Sequence, residues 1–166
     1  MQTPRRKLGK YTYPKLDPHL TQEKFDELKS LLEKLKKFSR PQASAEVKRL
    51  AEMGDFSDNM AYSMAKGRLR AINQHILDLE GHLKIAEIIK PVKNKDTVQL
   101  GSKVTVEIAG KQKTYLILGS SETSPLEGII SHISPIGAAL LGHKVGDKVK
   151  FQPTNKLIEC KIIKIE

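Results

Sequence analysis

The chain has 166 residues, enough for one large domain or two small ones. It carries 29 Lys and Arg against 19 Asp and Glu, a formal charge of +10, and is 39% apolar but only 5% aromatic, with no Trp. One cysteine, Cys160, excludes an internal disulfide framework or a cysteine-built zinc cluster, and apolar runs such as Ala138–Leu141 are too short to cross a bilayer. The N-terminus shows no apolar signal core, so a cytoplasmic address without membrane contact is expected. The scarcity of aromatics points to a thin, helix-paired part rather than a single compact core.

Residues 1–20 are the most biased segment, at net +4, with Arg5, Arg6, Lys7, Lys10 and Lys15 among Pro4, Pro14 and Pro18. Such a segment reads as a flexible basic extension, either a solvated tail or an arm that makes nonspecific phosphate contacts with nucleic acid. Residues 21–90 form a second region. Thr21 is a suitable N-cap, Glu23 and Asp26 suit the first turn, and Phe25, Leu28, Leu32 and Leu35 recur at heptad spacing. Pro41 interrupts the pattern and predicts a kink or short break, after which Ala43, Val47 and Leu50 resume it. A second heptad series runs through Tyr62, Ala65, Leu69, Ile72, Ile76, Leu79, Leu83 and Ala86 before Pro91. The short stretch Gly54–Asn59 between the two series forces antiparallel packing, and arms of about 30 residues reach roughly 45 Å.

After Pro91 the period changes. Val104–Ile108, Thr114–Leu118, Gly128–Ile130, Lys148–Phe151 and Leu157–Ile165 read as strands, punctuated by Gly110, Gly119 and Gly146. Ser134, Pro135 and Gly142 fit the cap, first turn and end of a short helix. The fold class is α+β: an N-terminal antiparallel helical coiled-coil hairpin over 21–90, then an antiparallel β domain with one short helix over 91–166. The five histidines show no ligand spacing, and Cys160 reads as a core position on the last strand.

The hairpin turn carries Asp55 and Asp58, three residues apart. One reading is ordinary helix capping, shared with Ser57 and Asn59. The other is a pair of hard oxygen ligands for a divalent cation such as Mg²⁺, the remaining ligands coming from a partner.

The run Gly54-Asp55-Phe56-Ser57-Asp58-Asn59-Met60-Ala61-Tyr62 resembles the tip of the Gre transcript cleavage factors, and Ser134-Pro135-Ile136 with Ala139–Gly142 and Val145-Gly146-Asp147 resembles their C-terminal pattern. Lys66-Gly67-Arg68-Leu69-Arg70 looks more like the GreB branch. The resemblance spans 21–166 and implies an FKBP-like C-terminal domain and a monomer. It further implies a factor that binds RNA polymerase and inserts its hairpin into the secondary channel. There Asp55 and Asp58 help hold a Mg²⁺ shared with the polymerase, whose own active site cuts the backtracked RNA 3′ end; the factor itself is not a nuclease. Ser57 and Asn59 would orient the acids, Lys66, Arg68 and Arg70 would meet the nascent RNA 3′ segment, and Ser134 and Pro135 would lie on the polymerase-docking side. The chain departs from the family pattern with Asp58 for Glu, Ala61 for an acid, Phe56 for Leu or Arg, and Ile133 for a polar residue. Those departures motivate an alternative, a non-cleaving channel binder that inhibits or modulates the polymerase. A prolyl isomerase is a third class, disfavoured because Tyr115 and Phe151 are the only aromatics in that domain.

Overall fold

The computed structural model describes residues 16–53, 60–90, 96–153 and 157–166. Helix α1 (Gln22–Lys34) starts where the sequence places its cap: the Thr21 hydroxyl accepts the Lys24 N–H at 3.2 Å. A π-helical turn, Leu35–Ser39, leads without a break into α2 (Arg40–Glu52), and α3 (Met60–Ile85) returns. In place of the kink or short break expected at Pro41, the helix widens into this turn just ahead of it. Arg40 donates its N–H five residues back, to the Leu35 carbonyl. Pro41 has no N–H to give and its ring crowds the carbonyl four residues back, so a looser turn ahead of it relieves both problems. The turn also absorbs a mismatch in the seam: Leu35 and Ala43 are one residue further apart than a heptad, and the extra residue lets both face α3.

The seam residues are buried or half-buried, with Ala43, Ala65, Ile76 and Leu79 the most enclosed of them. Ion pairs Glu46–Arg68, at 2.9 Å, and Lys36–Glu80 cross between the arms. As one residue number climbs the other falls, as antiparallel packing requires. At about 1.5 Å per residue α1 through α2 spans some 45 Å.

The β domain holds a five-stranded sheet in the order β5-β4-β3-β7-β6: β3 (Lys103–Ile108), β4 (Lys111–Leu118), β5 (Ile129–Ser131), β6 (Lys148–Phe151) and β7 (Ile158–Ile165). The sheet is mixed where the sequence reading had it antiparallel throughout, because β5 runs parallel to β4, Leu116 opposite Ile129. The loop from 119 to 128 contains two single 3₁₀ turns, Ser120–Glu122 and Pro125–Glu127, and that crossover is long enough to bring the chain back in the same direction. β3 and β4 are joined by the two residues Ala109 and Gly110, both at positive φ (+50° and +76°), a turn whose twist matches the strands. A bulge in β7 leaves Ile163 without an opposite residue on β3, which shifts the alternation so that Ile162 and Ile165 both face inward. The core comprises Val98, Val104, Val106, Ile117, Ile130, Leu140, Val149, Phe151, Cys160, Ile162 and Ile165. Helix α4 (Pro135–Leu140) lies against it, with Leu140 fully buried.

The two parts meet at a joint. Strand β1 (His19–Leu20) pairs in parallel with β2 (Glu87–Ile88), tying the root of α1 to the end of α3. The Glu87 and Ile89 amides donate to the Pro18 and Leu20 carbonyls at 2.7 and 2.8 Å, and Leu20 is fully buried. Residues 16–20, grouped above with the basic extension, are thus built into the fold; 1–15 lie outside the described residues.

Candidate functional site

The two arms end at Met53 and Met60, at the end of the hairpin away from the joint. Residues 54–59 connect them, so Asp55, Ser57, Asp58 and Asn59 lie outside the described residues. Ala61 is exposed on the first turn of α3.

Behind that end the three basic side chains part company. Lys66 stands 5.2 Å from the centre of the Tyr62 ring, a cation–π distance, and lines a shallow groove with Arg70, Asn73 and Val47. Arg68 lies on the opposite flank and reaches Glu46 on α2. The structure therefore keeps Lys66 and Arg70 together, four residues apart on one face, and engages Arg68 in bracing the hairpin. Tyr62 is half-buried on the seam, as its spacing predicts.

On the β domain Ser134 caps α4: its hydroxyl accepts the Gly137 N–H at 3.1 Å and donates to the Ser131 carbonyl at 2.6 Å. Pro135 occupies the exposed first turn beside Ile133, which is 67% exposed. Cys160 is buried, and burial, with the Glu159 charge next to it, pushes its thiol above the usual range.

The joint holds a polar cluster that the sequence reading did not assemble. Asp17 Oδ2 accepts the Ser120 N–H at 2.6 Å and the Ser120 hydroxyl at 2.9 Å, while Oδ1 accepts the His19 N–H at 3.1 Å and the ring Nδ1–H at 2.9 Å. Burial by itself would raise this carboxyl, but the donors from Ser120 and His19 outweigh it and hold it down to about 2. Thr21 donates its N–H and hydroxyl to the two Glu122 oxygens at 2.7 and 2.6 Å, so the cap of α1 is itself anchored to the β domain. His82 Nε2 donates to the Asp17 carbonyl at 3.0 Å, and His132 brings its ring edge to His19 with centroids 5.1 Å apart. His19, His82 and His132 have no spacing in the sequence that marks them for this cluster. No local pattern links residue 17 to residues 120–132, and only the fold brings them together.

Two family models divide the chain where the structure does. "Transcription elongation factor, N-terminal" matches residues 19–88, and "Transcription elongation factor, GreA/GreB, C-term" matches 93–166. The transcription elongation factor GreA of Macrococcus caseolyticus is 41% identical over 149 residues, 88% of this chain and 94% of that protein. The chain belongs to the GreA/GreB family of transcription elongation factors. GreA of Thermomicrobium roseum is 36% identical over 149 residues, 89% of this chain and 96% of that one. Among solved structures, GreA factor homolog 1 of Thermus thermophilus is 28% identical at a TM-score of 0.41, covering 89% of this chain and 97% of that one. As a GreA/GreB-family chain, this protein pairs its helical hairpin with its β domain across the joint just described, and no helix among the described residues is long and apolar enough to cross a membrane.

Proposed function

We propose that this chain binds RNA polymerase, passes its hairpin into the secondary channel, and stimulates the polymerase's own cleavage of backtracked RNA 3′ ends, without being a nuclease itself. What supports the reading is that Asp55 and Asp58 fall, in sequence, between α2 and α3, whose arms form a stalk some 45 Å long. A stalk of that length has a purpose if its end must reach a buried centre belonging to another protein.

The donor set suits Mg²⁺: two carboxylates supply hard oxygens, and the cation readily keeps waters or takes further ligands from a partner. When bound, the shared Mg²⁺ activates water and stabilises the charge developing on the phosphodiester oxygens as the P–O3′ bond breaks. This chain's part is to hold two negative charges at that position. Lys66 and Arg70, on one exposed face behind the turn, would meet the RNA 3′ segment by its phosphates, a contact weakened by salt. Ser57 and Asn59 would fix the orientation of the acids. The α4 end, with Ser134, Pro135 and exposed Ile133, would remain outside, toward the channel rim.

The test is a backtracked elongation complex with labelled RNA and excess factor. The wild-type protein is expected to produce shortened RNA, and Asp55→Asn to lose that stimulation at unchanged fold. Unchanged cleavage by Asp55→Asn would remove the metal-holding role. A second reading is favoured by one observation: the exposed first-turn position 61 carries Ala where the family pattern noted above has an acid. On that reading the chain occupies the channel without promoting cleavage, and the same assay separates the two, since inhibition without RNA shortening supports it.

A further inference from the structure

At the root of the hairpin, far from the turn, Asp17, His19 and His132 each offer one ligand atom, and the three atoms lie within 4.8 Å of one another. Asp17 Oδ1 is 2.9 Å from His19 Nδ1, and Asp17 Oδ2 is 3.4 Å from His132 Nδ1. Tetrahedral zinc with bonds of about 2.1 Å sets its donors roughly 3.4 Å apart, so one atom from each residue, now within 4.8 Å of the others, must draw in by up to about 1.4 Å to share one ion, a movement that side-chain rotation supplies. We propose that they form a binding site for a divalent transition-metal ion of the zinc class, which fastens the hairpin to the β domain.

An independent observation points the same way. His132 Nδ1 is buried and makes no hydrogen bond, although it sits beside the Asp17 carboxylate. A buried ring nitrogen without a partner is unfavourable, and a metal ion accepts its lone pair. The His19 and His132 rings meet edge to face, interplanar angle 74°, so their nitrogens converge on the carboxylate rather than stacking past it.

The surroundings supply what ligating side chains require. His19 Nδ1–H now donates to Asp17; an ion taking that position shifts the ring proton to Nε2, which faces the Glu87 carboxylate at 3.8 Å. Asp17 is already oriented by the Ser120 N–H, and the Ser120 hydroxyl has an alternative partner in Ser131 Oγ at 2.9 Å when the ion claims Oδ2. His82 fixes the Asp17 backbone from the third side. Two imidazoles and one carboxylate make a borderline donor set, which selects Zn²⁺ or Co²⁺ over Mg²⁺, in contrast to the all-oxygen pair in the hairpin turn. Three protein ligands leave a fourth position for water. Two ligands come from the chain entering α1 and one from the residue after β5, so the ion would cross-link the two parts of the molecule.

The experiment titrates Zn²⁺ alone into full-length, chelator-stripped protein by calorimetry, and Co²⁺ alone by absorption spectroscopy. One ion per chain is expected, with a thermal transition that rises with Zn²⁺ and Co²⁺ bands of tetrahedral intensity. His132→Ala should weaken binding at least tenfold, whereas His75→Ala, on the exposed face of α3, and the turn variant Asp55→Asn/Asp58→Asn should bind as wild type. The turn variant separates this site from the proposed function, since it loses stimulated cleavage and keeps zinc. No stoichiometric uptake at micromolar Zn²⁺, or unchanged binding by folded His132→Ala, overturns the proposal. If His132→Ala does not fold, the wild-type Co²⁺ spectrum decides: weak octahedral bands overturn the site, strong tetrahedral ones support it.

Discussion

Replacing Gly119 by Ala tests whether the joint is a close-fitting contact between backbones. Gly119 has φ −67° and ψ 162°, extended backbone that any residue adopts, so the substitution introduces no conformational strain of its own. Its added Cβ would fall 1.9 Å from the His19 carbonyl oxygen and 3.0 Å from the carbonyl carbon. A carbon–oxygen contact is comfortable at about 3.3 Å, so β1 must retreat by about 1.4 Å, and no flexible side chain is there to yield instead. A retreat of that size stretches the Thr21–Glu122 bonds from 2.7 and 2.6 Å to roughly 4 Å, and the Ser120–Asp17 bond from 2.6 Å similarly, beyond hydrogen-bond range. Overpacking of this kind costs about 1–3 kcal/mol, and bonds to charged acceptors contribute about 1.5–3 kcal/mol each. Three such bonds together are worth upwards of about 4 kcal/mol, so the joint is expected to open at a cost of that order while the hairpin and the sheet stay folded. Hydrogen exchange measures this directly: the Glu87, Ile89 and Ser120 amides should lose protection by about two orders of magnitude or more, with the β3–β4 amides unchanged. Wild-type protection at those three amides in Gly119→Ala would refute the reasoning.

Other substitutions have signs fixed by local structure. Gly81 sits inside α3 with open space where a Cβ would go, so Gly81→Ala should stabilise the protein by up to about 1 kcal/mol, read as a higher denaturation midpoint. Ala109 holds φ +50° in the β3–β4 turn, a left-handed conformation that disfavours Ala by about 1–2 kcal/mol and that Asn tolerates. Ala109→Asn should therefore raise the unfolding midpoint, and a lower one would contradict the turn assignment. Cys160 is 1% exposed with its thiol pushed up by burial, so alkylating reagents should label it only as fast as the β domain opens, and fully in denaturant.

The hairpin was legible because its signal is periodic and local: heptad steps from Phe25 to Leu50 and from Tyr62 to Ala86 name the seam without reference to anything distant. Pro41 announced an irregularity, and the π turn ahead of it is that irregularity, placed two residues earlier than the proline itself. The strands were readable from alternation, but the parallel β4–β5 pair was not. Strand direction depends on how the 119–128 crossover runs, and alternation carries no direction. The joint escaped for a different reason. Asp17, His19 and Thr21 meet Ser120, Glu122 and His132 across a hundred residues, and each looks ordinary in its own neighbourhood. Arg68 looked equivalent to Lys66 and Arg70 in sequence; helical geometry puts it on the other flank, where Glu46 claims it.

The joint and the proposed tip chemistry are mechanically coupled. For a lever that pivots over one helix diameter, about 10 Å, and reaches about 45 Å beyond, a slip of 1 Å at the root moves the far end by some 4–5 Å. A Mg²⁺ ion with ligands at about 2.0–2.1 Å accepts displacements of tenths of an ångström, not several. If the β domain docks outside while the acids work inside, stiffness at the root decides whether they arrive. That requirement accounts for a buried, fully bonded Asp17, a capping Thr21 that also grips Glu122, and a glycine packed against the β1 backbone, all at one place. It also yields a result that neither site predicts alone: Gly119→Ala, with Asp55 and Asp58 intact, should lose stimulated cleavage by an order of magnitude or more while still binding the polymerase. Full activity in that variant, with the joint shown open by hydrogen exchange, would mean that the channel walls rather than the root align the hairpin.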